Sequence, residues 1–147
     1  FCVWKFSKPG EPIWKTRLGD GRPGWHIEDT AISEHFFGPQ YDIHGAGVDL
    51  KFPHHEAEIA QEESVSGKKP FVTIWMHVGS LTVSGKKMSK SLGNFITIND
   101  FLAKHSAEVL RLMSLSNHYR SPLDYTEEAV QAYEQSWKNI IEFVDKE

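Results

Sequence analysis

The chain has 147 residues, about one domain's length, and its 16 Lys plus Arg against 20 Asp plus Glu give a net charge of −4. Hydrophobic residues make up 39% and charged residues 24%, which excludes collagen-like, low-complexity and disordered proteins. The chain lacks a run of about 18 apolar residues, so we expect no membrane span. Its one cysteine, Cys2, excludes an internal disulfide and fits a reducing compartment.

Helical and strand patterns alternate along the chain before helices dominate its last third. Turn-forming Pro and Gly residues predict loops over residues 1–24, with one short strand at 1–6. The predicted helices are 25–37, 53–63, 101–105, 106–116 and 126–147, and the predicted strands are 40–44, 71–78 and 79–83. This order predicts an α/β fold, in which a parallel-sheet unit is joined to an α-helical segment with the seam near residues 95–125.

The segment 52–58 places an imidazole and a carboxylate four residues apart. On a helix His54 and Glu58 share a face, whereas His55 and Glu56 point elsewhere. One divalent ion can bind both side chains, and zinc accepts both ligand types. Spacing alone favours an ordinary surface pair, because such pairs are common on helices. Two ligands never complete a zinc site, so further ligands must come from elsewhere.

Residues 42–49 combine a strand end with two glycines. Gly45 and Gly47 would let a ligand approach the backbone closely, as in the crevices of open parallel sheets. Asp49 could then accept a hydrogen bond from a ribose hydroxyl. A turn between a strand and a helix that needs glycine for its dihedral angles explains the pattern equally well.

Residues 84–94, the lysine loop, interleave three lysines with serine and glycine. Lysine supplies point charge and serine supplies donors, which suits a triphosphate and the charge that develops on departing pyrophosphate. The glycine pattern of the common P-loop is absent from the sequence. Composition alone favours the alternative of a solvated, flexible basic loop.

Residues 25–29 (WHIED) form the last cluster. Trp25 could form the floor of a pocket, with Asp29 pointing into it. A core tryptophan at a solvated helix start is the favoured interpretation without other information.

Taken together and in this order, the clusters resemble cysteinyl-tRNA synthetase, a class I aminoacyl-tRNA synthetase. The matching segments are 22–28 (RPGWHIE), 42–45 (DIHG), 49–50 (DL), 52–56 (FPHHE), 58–61 (EIAQ), 75–77 (WMH), 87–94 (KMSKSLGN) and 118–123 (HYRSPL). The resemblance covers essentially the whole chain. It implies the second half of a Rossmann-like parallel-sheet catalytic domain at residues 1–94, a connecting helical segment at 95–125, and the first helix of a helical bundle at 126–147.

The resemblance also implies site residues. Lys87 and Lys90 would be the catalytic cations that stabilise the ATP phosphates and pyrophosphate. His54 and Glu58 match two of four zinc ligands, and in this family zinc binds the thiolate of the substrate cysteine, which serine replaces poorly. The implied ATP-binding residues are Gly45, Gly47, Asp49, Met88 and Lys90, and the implied amino-acid pocket is lined by Trp25 and His44.

Two departures from the family pattern matter. Asp29 stands where the family has a cysteine zinc ligand, and since carboxylates also bind zinc, Asp29 is a candidate third ligand. It can equally mark a site that has lost or changed its metal. A further cysteine ligand and the His-Ile-Gly-His type element that contacts ATP are not found in this sequence. We therefore expect a fragment that does not catalyse the whole reaction alone, with residues missing before Phe1.

The function implied is a cysteine–tRNA ligase, which activates cysteine with ATP to cysteinyl-adenylate and transfers it to tRNA(Cys). The implied cofactor is Zn²⁺, ATP acts with Mg²⁺ as substrate, and the partners are tRNA(Cys), ATP and L-cysteine. We expect a cytoplasmic monomer without a membrane association. The alternatives are a mycothiol-pathway ligase that joins cysteine to an amino sugar, and a non-catalytic synthetase-like binding module.

Overall fold

The structure, a computed structural model, describes residues 1–146. It divides into two compact units: unit 1 is Phe1–His77, and unit 2 begins at Val78. Across the described residues, none of the helices combines the length and the apolar character needed to cross a membrane. The domain assignment made from the family resemblance, with boundaries at residues 94 and 125, concerns the family's domains rather than compactness, and it stays a prediction.

Unit 1 opens with short strands and continues as an alternation of helix and strand. Its elements are β1 (Trp4–Phe6), β2 (Trp14–Thr16), β3 (Gly19–Pro23), α1 (Trp25–Phe37), β4 (Tyr41–Gly47), a 3-10 turn (Val48–Leu50), a π-helical turn (Lys51–His55), α2 (Glu56–Ser66) and β5 (Val72–Val78).

Strands β1, β3 and β2 form an antiparallel sheet in that order, where the sequence predicted loops after a first strand. The prediction of loops was wrong for β2 and β3. In β3, a Cβ at Gly21 would lie only 2.4 Å from the carbonyl oxygen of Lys5 on β1. Glycine therefore permits close strand contact here, a use that turn statistics do not distinguish from a loop.

Strands β4 and β5 are neighbours in one sheet and are joined through α2. The Tyr41 N–H donates to the Phe71 carbonyl at 3.2 Å, and the Cβ position of Gly45 faces the Met76 carbonyl at 3.9 Å. Residue numbers thus rise together along both strands, so the pair is parallel with a helical crossover. The prediction of an α/β fold is confirmed. The predicted strand end at residue 44 and the alternative of a glycine turn were both wrong, because β4 continues through Gly45 and Gly47.

The two helices of unit 1 differ in how well local patterns predicted them. Helix α1 has the predicted bounds and ends at Gly38, whose N–H donates to the Glu34 carbonyl at 2.8 Å. Helix α2 begins at Glu56 rather than at Pro53, and the turn before it (Lys51–His55) is kinked at Phe52, which is extended (φ −140, ψ 133). This change of register redirects the side chains just before α2.

Unit 2 is mainly helical, with short strands around the lysine loop. Its elements are β6 (Leu81–Val83), β7 (Lys86–Lys87), a 3-10 turn (Lys90–Leu92), α3 (Ile98–Leu102), α4 (Ala107–Leu115), β8 (Leu123–Tyr125) and α5 (Glu127–Val144). The sheet order is β7-β6-β8, and β6 pairs parallel to β8. Strand β8 was not among the strands predicted from the sequence. The predicted last helix extends to residue 147, which lies outside the described residues.

Side-chain caps begin each helix of unit 2. Thr97 forms a capping box with Asp100, so α3 begins before the helix predicted at 101–105. Ser106 and Thr126, the first residues of two predicted helices, cap α4 and α5. The helices enclose a small core made of Phe101, Val109, Met113, Tyr125 and Val130.

We expect Val130→Ala to destabilise unit 2 by about 2 kcal/mol, because it leaves a cavity in a packed core. Val130 is 0% exposed, whereas Val144 on the same helix is 60% exposed and provides the matched control, Val144→Ala. Urea unfolding of the 147-residue protein measures both. Equal unfolding free energies for the two variants would contradict the described core.

Candidate metal centre

Three potential metal ligands from α1, the π turn and α2 meet in unit 1. The Nε2 atom of His54 lies 2.8 Å from Asp29 Oδ2 and 2.8 Å from Glu58 Oε1. The ligand atoms of all three residues lie within 4.8 Å of one another. His54 and Glu58 are 4% and 0% exposed, so the alternative of a surface pair was wrong. Helical spacing aligns His54 with Glu58, and the packing of α1 on α2 adds Asp29.

The chemistry of this cluster fits a divalent cation. Glu58 is fully buried, and among the described residues neither of its carboxylate oxygens accepts a hydrogen bond of good geometry, although His54 Nε2 lies 2.8 Å from Oε1. A buried carboxylate without donors is costly unless a cation compensates its charge. One imidazole and two carboxylates are donors that zinc accepts, and three protein ligands leave a further coordination position. The residues present therefore fit Zn²⁺.

The environment of Glu58 also changes its acidity. Burial, and then the neighbouring Asp29 carboxylate, raise the pKa of Glu58 from 4.5 to about 7. In the metal-free protein the carboxyl group is thus held largely protonated below neutral pH.

Two neighbours fix the orientation of the His54 ring. Trp25 stacks on it with ring centroids 4.4 Å apart, and Nδ1 of His26 lies 2.5 Å from Nδ1 of His54. Because Nδ1 of His54 contacts His26, Nε2 is directed at the two carboxylates. Neighbouring side chains commonly orient a metal-binding histidine in this way. Trp25 is 54% exposed, so the interpretation as a core tryptophan was wrong.

A second group of rings lies on the other side of Glu58. His44 Nδ1 is 3.9 Å from Glu58 Oε2 and also contacts the Tyr41 hydroxyl. The ligand atoms of His44, His55 and Glu58 come within 4.8 Å of one another. Burial lowers the pKa of His55 to about 4 and also lowers that of His44. Both rings are therefore neutral at neutral pH.

The sequence reasoning missed His55 as a pocket residue. We expected it to point away from the helix face of His54, but it is buried, and its Nδ1 lies 2.8 Å from Nε2 of His77. The π turn, rather than a regular helix, sets its direction. His77 and Trp75 occupy one face of β5 and stack in parallel, so the alternation at residues 75 and 77 was the available signal.

The residues predicted to bind ATP in unit 1 lie around the end of β4. Gly45 and Gly47 belong to that strand, and Asp49 lies in the 3-10 turn that follows. A Cβ at Gly47 would approach the Asp49 carboxylate to 2.6 Å, so glycine makes room for this side chain. Their role in nucleotide binding stays a prediction.

The remaining predicted site residues lie in the lysine loop of unit 2. Lys87 ends β7, and Lys90 begins a 3-10 turn with its Nζ 5.6 Å from the centre of the Phe95 ring. Met88 lines an apolar cavity together with Leu81, Ile96 and other nonpolar residues. The roles of these three residues in catalysis and ATP binding also stay predictions.

Comparison with known proteins assigns the family. The model of the tRNA synthetases class I (C) catalytic domain matches residues 1–135. The chain belongs to this family. A solved chain from the ternary complex of Agrobacterium radiobacter K84 agnB2 LeuRS-tRNA-LeuAMS has a TM-score of 0.66 and 14% identity, covering 91% of this chain and 21% of that chain. This likeness supports the class I synthetase fold.

The sequence of the chain is also similar to those of curated cysteine–tRNA ligases. The cysteine–tRNA ligase of Legionella pneumophila (strain Corby) is 59% identical over 128 residues, covering 87% of this chain and 28% of the relative. That of Methanococcus vannielii is 54% identical over 147 residues, covering 98% of this chain and 31% of the relative. The class I domain described here thus spans less than a third of the length of these relatives.

The raised pKa of Glu58 predicts that the metal-free protein loses folding stability as the pH rises toward neutral. Below pH 4.5 the group is protonated in both states, and between pH 4.5 and about 7 only the unfolded state releases its proton, so stability falls. We expect metal-free Glu58→Gln to lack this loss and to exceed the metal-free wild type by about 2 kcal/mol above neutral pH.

Unfolding free energies measured in chelating buffer across this pH range provide the test. Glu56→Gln is the matched control, because Glu56 is exposed on the same helix and should keep the wild-type pH profile. A Glu58→Gln profile parallel to that of the wild type would contradict the assigned burial of the charge.

Proposed function

We propose that the chain is part of a cysteine–tRNA ligase, which activates cysteine with ATP and transfers it to tRNA(Cys). The observation that carries the proposal is the cluster of partly exposed Asp29 with buried His54 and Glu58 within a class I synthetase domain. The names of the curated relatives support the tRNA ligase over the amino-sugar ligase and over a non-catalytic binding module.

In this proposal the cofactor is Zn²⁺, held by Asp29, His54 and Glu58 together with a ligand from outside the chain. When bound, Zn²⁺ would offer a coordination position that favours a thiolate over a hydroxyl, and so cysteine over serine. Trp25 stacks on His54 and His44 lies beside Glu58, so both border the cluster and would form walls of the amino-acid pocket. Because its pKa is lowered, His44 would meet the substrate as a neutral ring.

The lysines would act on the phosphate side of the reaction. A carboxylate oxygen of cysteine attacks the α-phosphorus of ATP, the bond between that phosphorus and its bridging oxygen breaks, and pyrophosphate leaves. Lys87 and Lys90 would stabilise the charge that accumulates on the leaving pyrophosphate. Gly45, Gly47 and Asp49 would hold the nucleoside, and Mg²⁺ would accompany ATP as part of the substrate.

The acyl group of the adenylate would then pass to a terminal ribose hydroxyl of tRNA(Cys), with release of AMP. None of the described side chains is assigned as a general base for this step, so rate would come from positioning and phosphate electrostatics. The monomeric state and the cytoplasmic location stay predictions.

The metal assignment predicts that Asp29→Ala and His54→Ala each weaken zinc binding by more than about 100-fold. Losing a residue that only orients a metal ligand already lowers metal affinity by about 10–100-fold. Competition with a chromophoric chelator on the 147-residue protein measures the affinity. Glu56→Ala, which removes an exposed carboxylate near the site, is the control and should bind zinc as the wild type does. Unchanged affinity in Asp29→Ala would remove this residue from the ligand set.

The lysine assignment predicts that Lys90→Ala, in a full-length protein containing this chain, lowers cysteine-dependent ATP–pyrophosphate exchange by about 100-fold, the cost of losing one charge-stabilising donor. Zinc content should stay unchanged. Lys138→Ala, at an exposed position of α5, is the control. Exchange within twofold of the wild type in Lys90→Ala would contradict the assignment, and a zinc-free wild type without exchange activity would support the binding module.

A further inference from the structure

The first end of the lysine loop is held by a carboxylate from β8. Ser84 and Gly85 form a tight turn with φ of 49 and 72, both in the left-handed region. Asp124 Oδ1 accepts from the Gly85 N–H at 2.8 Å and from the Thr82 hydroxyl at 2.6 Å. One oxygen thus ties the turn to both β6 and β8, and the exit direction of the loop from β6 is set.

The other end of the lysine loop is closed by the amide of Asn94. Its Oδ1 accepts from the Ser89 N–H at 2.9 Å, and its Nδ2 donates to the Lys87 carbonyl at 3.1 Å. A side chain that both donates and accepts is needed to bridge these two backbone groups, and the Asn94 amide does so with two different atoms. The two contacts lie on either side of Met88 and directly before Lys90.

Contacts inside the lysine loop also order the backbone between its two ends. Met88 lines the apolar cavity of unit 2, and Ser89 Oγ accepts from the Leu92 N–H at 3.3 Å, which caps the 3-10 turn beginning at Lys90. The backbone from Lys87 to Leu92 therefore has defined positions, although its side chains remain mostly exposed. Fixing both ends also fixes where the two lysine side chains start.

We propose that Asn94 and Asp124 are positioning residues of the lysine loop, which place the Lys87 and Lys90 ammonium groups for their action on phosphate. Neither residue is assigned to touch the substrate. The effect on catalysis rests on the proposed function, whereas the effect on the loop backbone does not. Each residue acts through backbone hydrogen bonds, so each has a local readout independent of the reaction.

The local readout is amide hydrogen exchange in the 147-residue protein. We expect Asn94→Ala to accelerate exchange at Ser89 by about tenfold, the value of one typical hydrogen bond, and Asp124→Ala to do the same at Gly85. Asn94→Asp and Asp124→Asn keep an oxygen acceptor and should restore most of the protection. Asn99→Ala, at an exposed position of α3 nearby, is the control and should change neither amide.

The catalytic readout is pyrophosphate exchange by a full-length protein containing the chain. We expect Asn94→Ala to lower kcat by about tenfold while the KM for cysteine and the zinc content stay unchanged. Asn94→Asp should be intermediate, because it keeps the contact with Ser89 and loses the donor to Lys87. A residue important only for folding would instead alter thermal stability, zinc content and both kinetic constants together.

The outcomes separate the two proposals. Unchanged exchange at Ser89 and unchanged kcat in Asn94→Ala would overturn the positioning role of Asn94, as unchanged exchange at Gly85 in Asp124→Ala would for Asp124. A wild-type protein without pyrophosphate exchange would refute the proposed function. In that case the Ser89 and Gly85 amides alone would decide whether the two side chains order the loop.

Discussion

The buried carboxylate of Glu58 is the constraint on which unit 1 depends. It lies among imidazoles and a second carboxylate, and within the described residues neither of its oxygens accepts a hydrogen bond of good geometry, although His54 Nε2 lies 2.8 Å from Oε1. Such a group opposes folding unless it stays protonated or a cation compensates it. The same feature therefore explains the raised pKa in the metal-free state and the fit of the cluster to zinc. A site destabilised without its ligand is a common property of binding centres.

The helices and strands of unit 1 place Trp and His side chains around this carboxylate and its neighbours. Helix α1 brings Trp25 and His26 against His54, strand β4 brings His44 to Glu58, and strand β5 brings His77 against His55. Burial lowers the pKa values of His44 and His55, so these two rings act as neutral donors and acceptors rather than as repelling cations. Neutral rings can border both a metal and an amino acid without a large cost in charge.

Unit 2 meets a different requirement, because its lysine loop, which we propose to act on phosphate, is solvated and still ordered. Its side chains stay largely exposed, so packing alone cannot define the backbone. Hydrogen bonds from Asp124 and Asn94, together with the apolar seat of Met88, supply the order instead. The chain has a net charge of −4 although the lysine loop is locally positive, so the net charge did not indicate the phosphate ligand that we propose for this loop.

The sequence by itself determined the bounds of α1, the helical spacing of His54 and Glu58 and the composition of the lysine loop, because each depends on neighbours a few residues apart. It also determined the family, because the order of several short motifs along the chain is visible without a structure. Only the tertiary structure decided that the pair is buried, that Asp29 completes it, and that His55 turns inward. Short strands β2, β3 and β8 likewise needed their partners. Strand pairing, burial and the π turn arise from contacts distant in the chain, which local propensity does not encode.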